Sequence, residues 1–177
     1  GTAIMIRKNL FEQVGKFDIT FFAHMEEIDL CWRFHMLGYR VLAEPSSVVY
    51  HKNAVTLPMH SQKKYYLNHR NSLYMLCSNY SIPLTVYLLP IRITLDVIAF
   101  FYAMSKLDWK HMTAIVMAIF WVISHPHLIF RKRRKNKPIK SVKDKDIIKN
   151  MFRGSIVLVY YILQKKTYRE IVTNAES

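Results

Sequence analysis

The sequence predicts an α/β segment over residues 1–80, followed by two membrane-associated α-helices within 81–130. A basic cytoplasmic tail over 131–177 is predicted to carry a short amphipathic helix, and its apolar stretch at 156–163 is too short to span a membrane. Short apolar runs with strand character alternate with helical patterns in the first segment. Residues 83–104 and 112–130 are mostly apolar, and each stretch has about the ~20 residues that a membrane-spanning helix needs. The net charge is +3 over residues 1–80, +1 over 81–130 and +10 over 131–177, so a nearly uncharged segment precedes a strongly basic one. This order predicts a soluble part, a membrane-associated part and a part facing anionic lipid.

The elements of the first segment follow from local sequence signals. Gly15 and Gly38 each follow a helical pattern, where glycine commonly takes the left-handed conformation that ends a helix. The predicted helices are 7–14, 26–37 and a tyrosine-rich helix at 63–79. The predicted strands are 2–6, 41–43 and 47–50.

The two apolar stretches are joined by a short connector and followed by the basic run at 131–135. We therefore expect a helical hairpin, or two interfacial helices, with both ends on the cytoplasmic side. Arg92 and Asp96 lie four residues apart, so they share one helix face and can pair. A charged pair inside a spanning helix indicates a functional site, whereas the same pair on an interfacial helix faces water, and the sequence leaves both alternatives open.

Three carboxylates, those of Glu26, Glu27 and Asp29, cluster at the start of the main predicted helix, just after an aromatic loop at 21–22. Neighbouring carboxylates favour proton uptake by one of them, which suits a general base. His51, which ends a predicted strand, is well placed to bind a metal ion. The alternative is a negatively charged first helix turn, favoured by the helix dipole, together with a surface histidine.

A longer series of motifs surrounds these residues: G-K-F-D at 15–18, F-F at 21–22, E-E-I-D-L-C-W-R at 26–33, G-Y-R at 38–40 and V-V-Y-H at 48–51. In order and spacing, the series resembles the second half of the GT-A domain in family 2 glycosyltransferases, especially the rhamnosyltransferase-like branch. The Arg-Asn pair at 70–71 and the apolar tail also resemble this family. The resemblance implies the C-terminal part of a GT-A, Rossmann-like α/β domain over residues 1–80.

The resemblance also implies roles for individual residues. Glu27 occupies the position of the catalytic base, with Glu26 before it and Asp29 after it, although the family more often has Asp at the base position. The base takes a proton from the acceptor hydroxyl, which attacks the anomeric carbon of a nucleotide-sugar from the opposite face and inverts its configuration. His51 matches a histidine that assists the divalent metal, Mg²⁺ or Mn²⁺, which neutralises the leaving diphosphate.

The acceptor side of the site has its own candidates. The strand Gly1-Thr2-Ala3 matches the small-residue strand beside the acceptor site in the family. Trp32 and Arg33 are further candidates for contacting the acceptor, through an aromatic platform and a phosphate contact respectively. The alternatives are packing for Trp32 and an ion pair for Arg33.

The expected partners are a nucleotide-sugar donor, a saccharide or lipid-linked acceptor of the cell envelope, and the membrane, at the cytoplasmic face of a bacterial inner membrane. We expect a basic membrane anchor at 131–140 and no nucleic acid, because the run follows an apolar segment without interleaved aromatics. The family's DxD motif and nucleotide-binding half lie before the matched region, so we expect a fragment that is inactive alone. The rival hypothesis is a non-catalytic membrane-anchoring module with a structural acidic helix.

Overall fold

The computed structural model describes residues 3–51, 57–149, 151, 159–160, 163–165, 167 and 170. The chain divides into two compact units, Gly1–Ser141 and Val142–Ser177. The first unit contains α1 Lys8–Gln13, α2 Glu26–Met36, α3 Gln62–Asn79, α4 Ile82–Ser105, α5 Trp109–Ser124 and α6 Pro126–Asn136, with 3₁₀ turns at Ile19–Phe21 and Lys137–Ile139. The second unit contains α7 Asp144–Ile148. The apolar stretch at 156–163 lies largely outside the described residues.

The predicted α/β class, and with it the GT-A, Rossmann-like fold, is wrong for this structure. Across the described ranges the regular structure is helical, with no strand and no sheet. The predicted strands at 41–43 and 47–50, and the described part of the strand at 2–6, are irregular, and the segment 38–51 is exposed throughout. A strand forms only when a second strand satisfies its backbone groups, and no such ladder exists among the residues described.

The predicted helices at 7–14, 26–37, 63–79 and 83–104 are confirmed as α1 to α4, with small shifts at their ends. Gly15 and Gly38, at φ +82° and +87°, adopt the left-handed conformation expected after α1 and α2. The Ser61 side chain accepts a hydrogen bond from the Lys64 N–H at 3.3 Å and so caps the start of α3.

The predicted helix at 112–130 is broken in two. α5 ends at Ser124, and Pro126 begins α6, because proline has no N–H with which to continue the preceding helix but fits the first helical turn. The chain bends by 67° at this break. The bend directs the basic run of α6 back toward α3, with which it packs.

α3 is the central helix of the first unit, since α2, α4, α5 and α6 all pack against it. One apolar cluster joins α1 to α2 through Val14, Leu30 and Phe34. A second joins the loop before α2 to α3 through Phe21 and Tyr74. Burial of these side chains holds the short N-terminal helices against the longer ones.

α4 is long and apolar enough to cross a membrane. Its predicted pair of charges forms: the Arg92 Nη1 and Asp96 Oδ1 atoms lie 2.8 Å apart, and the Asp96 side chain has no exposed surface. His69 of α3 joins them, with its Nδ1 atom 2.7 Å from Asp96 Oδ1. The pair therefore faces the protein interior and not bulk water.

Candidate functional site

The loop between the 3₁₀ turn and α2 has a strained backbone. Phe22, His24 and Met25 have positive φ angles of 62°, 67° and 70°, although none of them is glycine. Such conformations cost about 1 kcal/mol or more per residue and persist only where the surrounding structure fixes them. Met25 is the residue from which α2 starts, so the strain lies immediately before Glu26 and Glu27.

Two neighbouring side chains of α3 fix this loop. Asn71, fully buried, donates from its amide nitrogen to the carbonyl oxygens of Phe21, Ala23 and His24 at 3.0, 2.8 and 2.7 Å. Arg70 donates to the carbonyl oxygens of Thr20 and Phe21 at 2.7 and 3.0 Å. These bonds satisfy carbonyl groups of the irregular loop, of which the Phe21 carbonyl also accepts from the Ala23 N–H at 2.7 Å, so α3 helps to fix the course of the loop.

We expect Asn71→Leu to destabilise the protein by about 2–3 kcal/mol, because several buried carbonyls lose their donor while the branching and number of side-chain heavy atoms are kept. Limited proteolysis should then cleave near residues 22–25 faster than in the wild type. Asn68→Leu, an exposed position on the same helix, is the matched control and should change neither stability nor cleavage. Equal cleavage rates in all three proteins would contradict the proposed role of Asn71.

Asp29, the third residue of the acidic cluster, is buried in a network that neutralises it. Arg33 contacts its Oδ2 atom through Nε at 2.9 Å and Nη2 at 2.8 Å. Lys132 of α6 and Asn79 of α3 contact its Oδ1 atom at 2.8 and 2.7 Å. With both oxygens occupied and no exposed surface, Asp29 connects helices and is not presented to a substrate.

Lys132 also binds Asp18, with its Nζ atom 2.7 Å from Asp18 Oδ2. The cluster therefore contains two carboxylates, Asp18 and Asp29, and two cations, Lys132 and Arg33. Burial disfavours ionisation of Asp18, but the Lys132 charge and the hydrogen bond from the Thr20 N–H outweigh it and lower the pKa of Asp18 to about 2.

This pKa predicts a specific acid sensitivity. A carboxylate with a folded-state pKa of about 2, below its ordinary 3.8, stabilises the fold fully above about pH 4 and loses that contribution as the pH falls toward 2. Because Asp18 is partly exposed, we expect about 1–2 kcal/mol. Thermal unfolding followed by circular dichroism should show the Tm difference between wild type and Asp18→Asn shrinking from pH 5 to pH 2. A constant difference over that range would contradict the assignment.

Glu26 and Glu27 lie in the first turn of α2 and are half-buried. In the described part of the chain the Glu26 Oε2 atom and the His24 Nε2 atom are buried without a hydrogen-bond partner. Desolvated polar atoms of this kind gain free energy when a partner arrives. The carboxylates therefore differ in their surroundings. Both oxygens of Asp29 are bonded inside the protein. Glu26 and the neighbouring His24 each have a buried polar atom without a hydrogen-bond partner in the described part of the chain.

The predicted acceptor residues lie in different surroundings. Trp32 is only 3% exposed and packs on Tyr80, with ring centroids 4.5 Å apart. The Arg33 Nη1 atom donates to the Val14 carbonyl at 2.5 Å, so its guanidinium is directed into the protein. Acceptor contact with either side chain would require this packing to open. Ala3 is exposed, and Gly1 and Thr2 lie outside the described residues.

His51 is exposed at the end of the irregular segment 38–51. Within the residues that the structure describes, no three His, Cys, Asp or Glu side chains come together in a way that could hold a metal ion. The resemblance places the divalent metal mainly on the nucleotide-binding half before the matched region, with His51 only assisting, so the metal stays a prediction and we derive no step through it.

Several residues of this site were not among the predicted site residues, including Asp18, Arg70, Asn71, Asn79 and Lys132. Asp18 and the pair Arg70-Asn71 had a signal, since they lie in motifs that carry the family resemblance; Asn79 had none, because another asparagine of the same helix, Asn68, is exposed. Lys132 had none, because it is one of five consecutive basic residues and only its tertiary contacts distinguish it.

Comparison of the chain with family models, with curated proteins and with solved structures found no match.

Proposed function

We propose that this chain provides the acceptor side of an inverting glycosyltransferase that acts at a membrane on a saccharide or lipid-linked acceptor. One observation carries the proposal: a strained loop, fixed by Arg70 and Asn71, precedes a helix start at which Glu26 and Glu27 are half-buried while Asp29 is neutralised. The motif series at 15–51, which resembles family 2 glycosyltransferases, supports the same assignment. The support comes from this local arrangement and the motif series alone, since the sheet of that family is not found among the described residues.

In the proposed reaction Glu27 removes the proton from the acceptor hydroxyl as that oxygen attacks the anomeric carbon of the nucleotide-sugar. The new C–O bond forms as the bond to the nucleoside diphosphate breaks, and the configuration at the anomeric carbon inverts. Glu26 lies beside the base and has an unpaired buried oxygen, which suits a hydrogen bond to the acceptor. The fixed loop supports catalysis because it holds the carboxylates in place before the acceptor binds.

The rival hypothesis is a non-catalytic anchoring module in which the acidic helix is only structural. The Asp29 network would be needed in either case, since it joins α2, α3 and α6. The strained loop favours the catalytic alternative, because backbone strain is characteristic of functional sites and a purely structural helix start does not need it.

The test uses the complete protein in membranes. Membranes are incubated with labelled UDP-, GDP- and dTDP-sugars, and label is measured in the lipid-extractable and polysaccharide fractions. The proposal predicts transfer from one donor class, with inversion observed by NMR of the product. Membranes that carry the protein and transfer no more label than membranes without it would support the anchoring module instead.

A further inference from the structure

We infer that the first unit is monotopic: α4 lies in the plane of the membrane surface, with its outer face inserted into one leaflet of an anionic phospholipid bilayer. The outer face comprises Tyr87, Ile91, Leu95, Ile98, Phe101 and Tyr102. The inference rests on the membrane location in the proposed function, and not on its sugar-transfer chemistry.

α4 has two distinct sides. Thr85, Asp96 and Ala103 are buried and share the side that faces the protein. At about 100° per residue, Ile98 lies about 200° around the helix from Asp96, so the outer face is opposite that side. Every outer-face residue is exposed. No exposed residue of α4 carries a charge, and the exposed hydroxyls of Thr94 and Ser105 donate to the helix's own carbonyls at Pro90 and Tyr102, so the outer face is largely apolar.

The Asp96–His69 contact makes a spanning orientation energetically costly. Asp96 lies about 4 Å from the midpoint of the 24-residue helix, so a spanning α4 would place it near the bilayer centre. His69, bonded to it at 2.7 Å, would bring α3 to the same depth. Gln62 and Lys63 are then at most about 10 Å along α3 from His69, within the ~15 Å half-thickness of the hydrocarbon core.

These α3 side chains are polar and exposed. Gln62, Lys63 and Asn68 are all exposed, although the Gln62 amide donates to the Thr113 hydroxyl at 2.8 Å and the Lys63 ammonium lies 4.4 Å from the Phe22 ring centroid. An exposed lysine costs about 2.5–3.5 kcal/mol at the bilayer centre and less toward the interface, and the exposed Asn68 amide beside His69 adds to the cost of placing α3 in the hydrocarbon core. When α4 lies in the membrane plane, α3 packs on the side of α4 that faces away from the lipid. Its polar side chains then remain in water and the cost of inserting them disappears.

The bent pair α5 and α6 does not provide an alternative span. The α6 side chains Lys132 and Arg133 are held within the protein, Lys132 by two carboxylates and Arg133 by the carbonyls of Cys77 and Tyr80. α6 therefore supplies part of the network around Asp18 and Asp29, and it cannot enter a bilayer unless these contacts break.

The choice of an anionic lipid surface follows from the connector between α4 and α5. Leu107 and Trp109 are 72% and 64% exposed, and Lys106 and Lys110 beside them are also exposed. Exposed apolar and indole groups enter the interface, and lysines beside them bind lipid phosphates, each contributing about 1 kcal/mol near an anionic surface.

Spin labels measure the orientation directly. With Cys31 and Cys77 replaced by alanine, single cysteines at Tyr87, Thr94 and Tyr102 are labelled, and the full chain is bound to phosphatidylcholine vesicles containing phosphatidylglycerol. An in-plane helix places all three labels at a similar depth, about 5–10 Å below the headgroups. A label at residue 94 near the bilayer centre, with those at 87 and 102 shallow in opposite leaflets, would overturn the inference.

A binding experiment provides the second measurement. Ile98→Glu should weaken vesicle binding about 10- to 100-fold, since it replaces an inserted apolar group with a charge. Met5→Glu changes the charge equally at a residue that is 100% exposed and far from α4 in sequence, and it should leave binding unchanged. Equal effects of the two variants, or no binding of the wild type to anionic vesicles, would refute the inference.

Vesicle binding that persists in Glu27→Gln while sugar transfer is lost separates this inference from the proposed chemistry.

Discussion

Replacing Glu27 by glutamine is expected to lower the kcat of sugar transfer by about 10²- to 10⁴-fold in the complete protein, with donor binding retained. Glutamine keeps the size and hydrogen-bonding shape of the side chain but cannot accept the acceptor's proton. The fold should be preserved, because Glu27 is half-buried in the first helical turn and glutamine has nearly the same size and shape. Initial rates at saturating donor and acceptor measure the effect.

Two variants sharpen this prediction. Glu26→Gln should reduce the rate less, since Glu26 is expected to position the acceptor and not to take its proton. Glu27→Asp restores a carboxylate that is one methylene shorter, as in the family that the motif resembles, and should recover part of the lost rate. If Glu27→Gln kept nearly full activity while Asp29→Asn abolished activity in a folded protein, Asp29 would be the base.

Lys132→Met is expected to destabilise the first unit by about 3–5 kcal/mol, the cost of breaking a buried ion pair by removing one partner. Lys132 is 5% exposed and contacts Asp18 and Asp29 at 2.7 and 2.8 Å. Without it, both carboxylates lose a cation, and Arg33 is the cation that remains bonded to Asp29. Urea unfolding of the full chain, followed by circular dichroism, measures the change. Arg134→Met, an exposed position on the same helix, removes an equal charge and should cost less than about 0.5 kcal/mol.

A double-mutant cycle tests the origin of this loss. Asp18→Asn removes one of the two carboxylates that Lys132 neutralises, so it should offset part of the effect of Lys132→Met. Asp29→Asn should likewise act through stability, since both Asp29 oxygens are occupied inside the protein. Strict additivity of Asp18→Asn and Lys132→Met would show that the two residues do not interact.

Helices could be predicted from the sequence, but the overall fold class could not. The signals that begin and end α1, α2 and α3 are local: Gly15, Gly38 and the Ser61 cap each act within a few residues. The segments 41–43 and 47–50 have equally clear local signals for strands. Strand formation, however, depends on a partner elsewhere in the chain, and among the described residues none is paired with them.

The candidate site, like the fold, could be predicted from the sequence only where local signals determine it. Clustering of Glu26, Glu27 and Asp29 follows from three positions within one helical turn. The burial of Asp29 in a bonded network does not follow from the local sequence. Its partners include Asn79, 50 residues away in sequence, and Lys132 in α6. The surroundings of Asp96 in α4 were likewise not predictable from local sequence, because its partner His69 lies 27 residues away in α3.

The contact between Asp18 and Lys132 closes a loop of 114 residues, which has a consequence for the order of folding. During synthesis, α2 emerges long before α6, so the Asp29 carboxylate must wait for its second cation until both apolar helices have been made. Burial of an incompletely neutralised carboxylate is unfavourable, so the N-terminal helices should not complete their packing on the ribosome alone. Contacts of such long sequence separation also slow refolding, because the loop-closure entropy is lost before the ion pairs form. Chains truncated before residue 132 should therefore remain incompletely packed around Asp29.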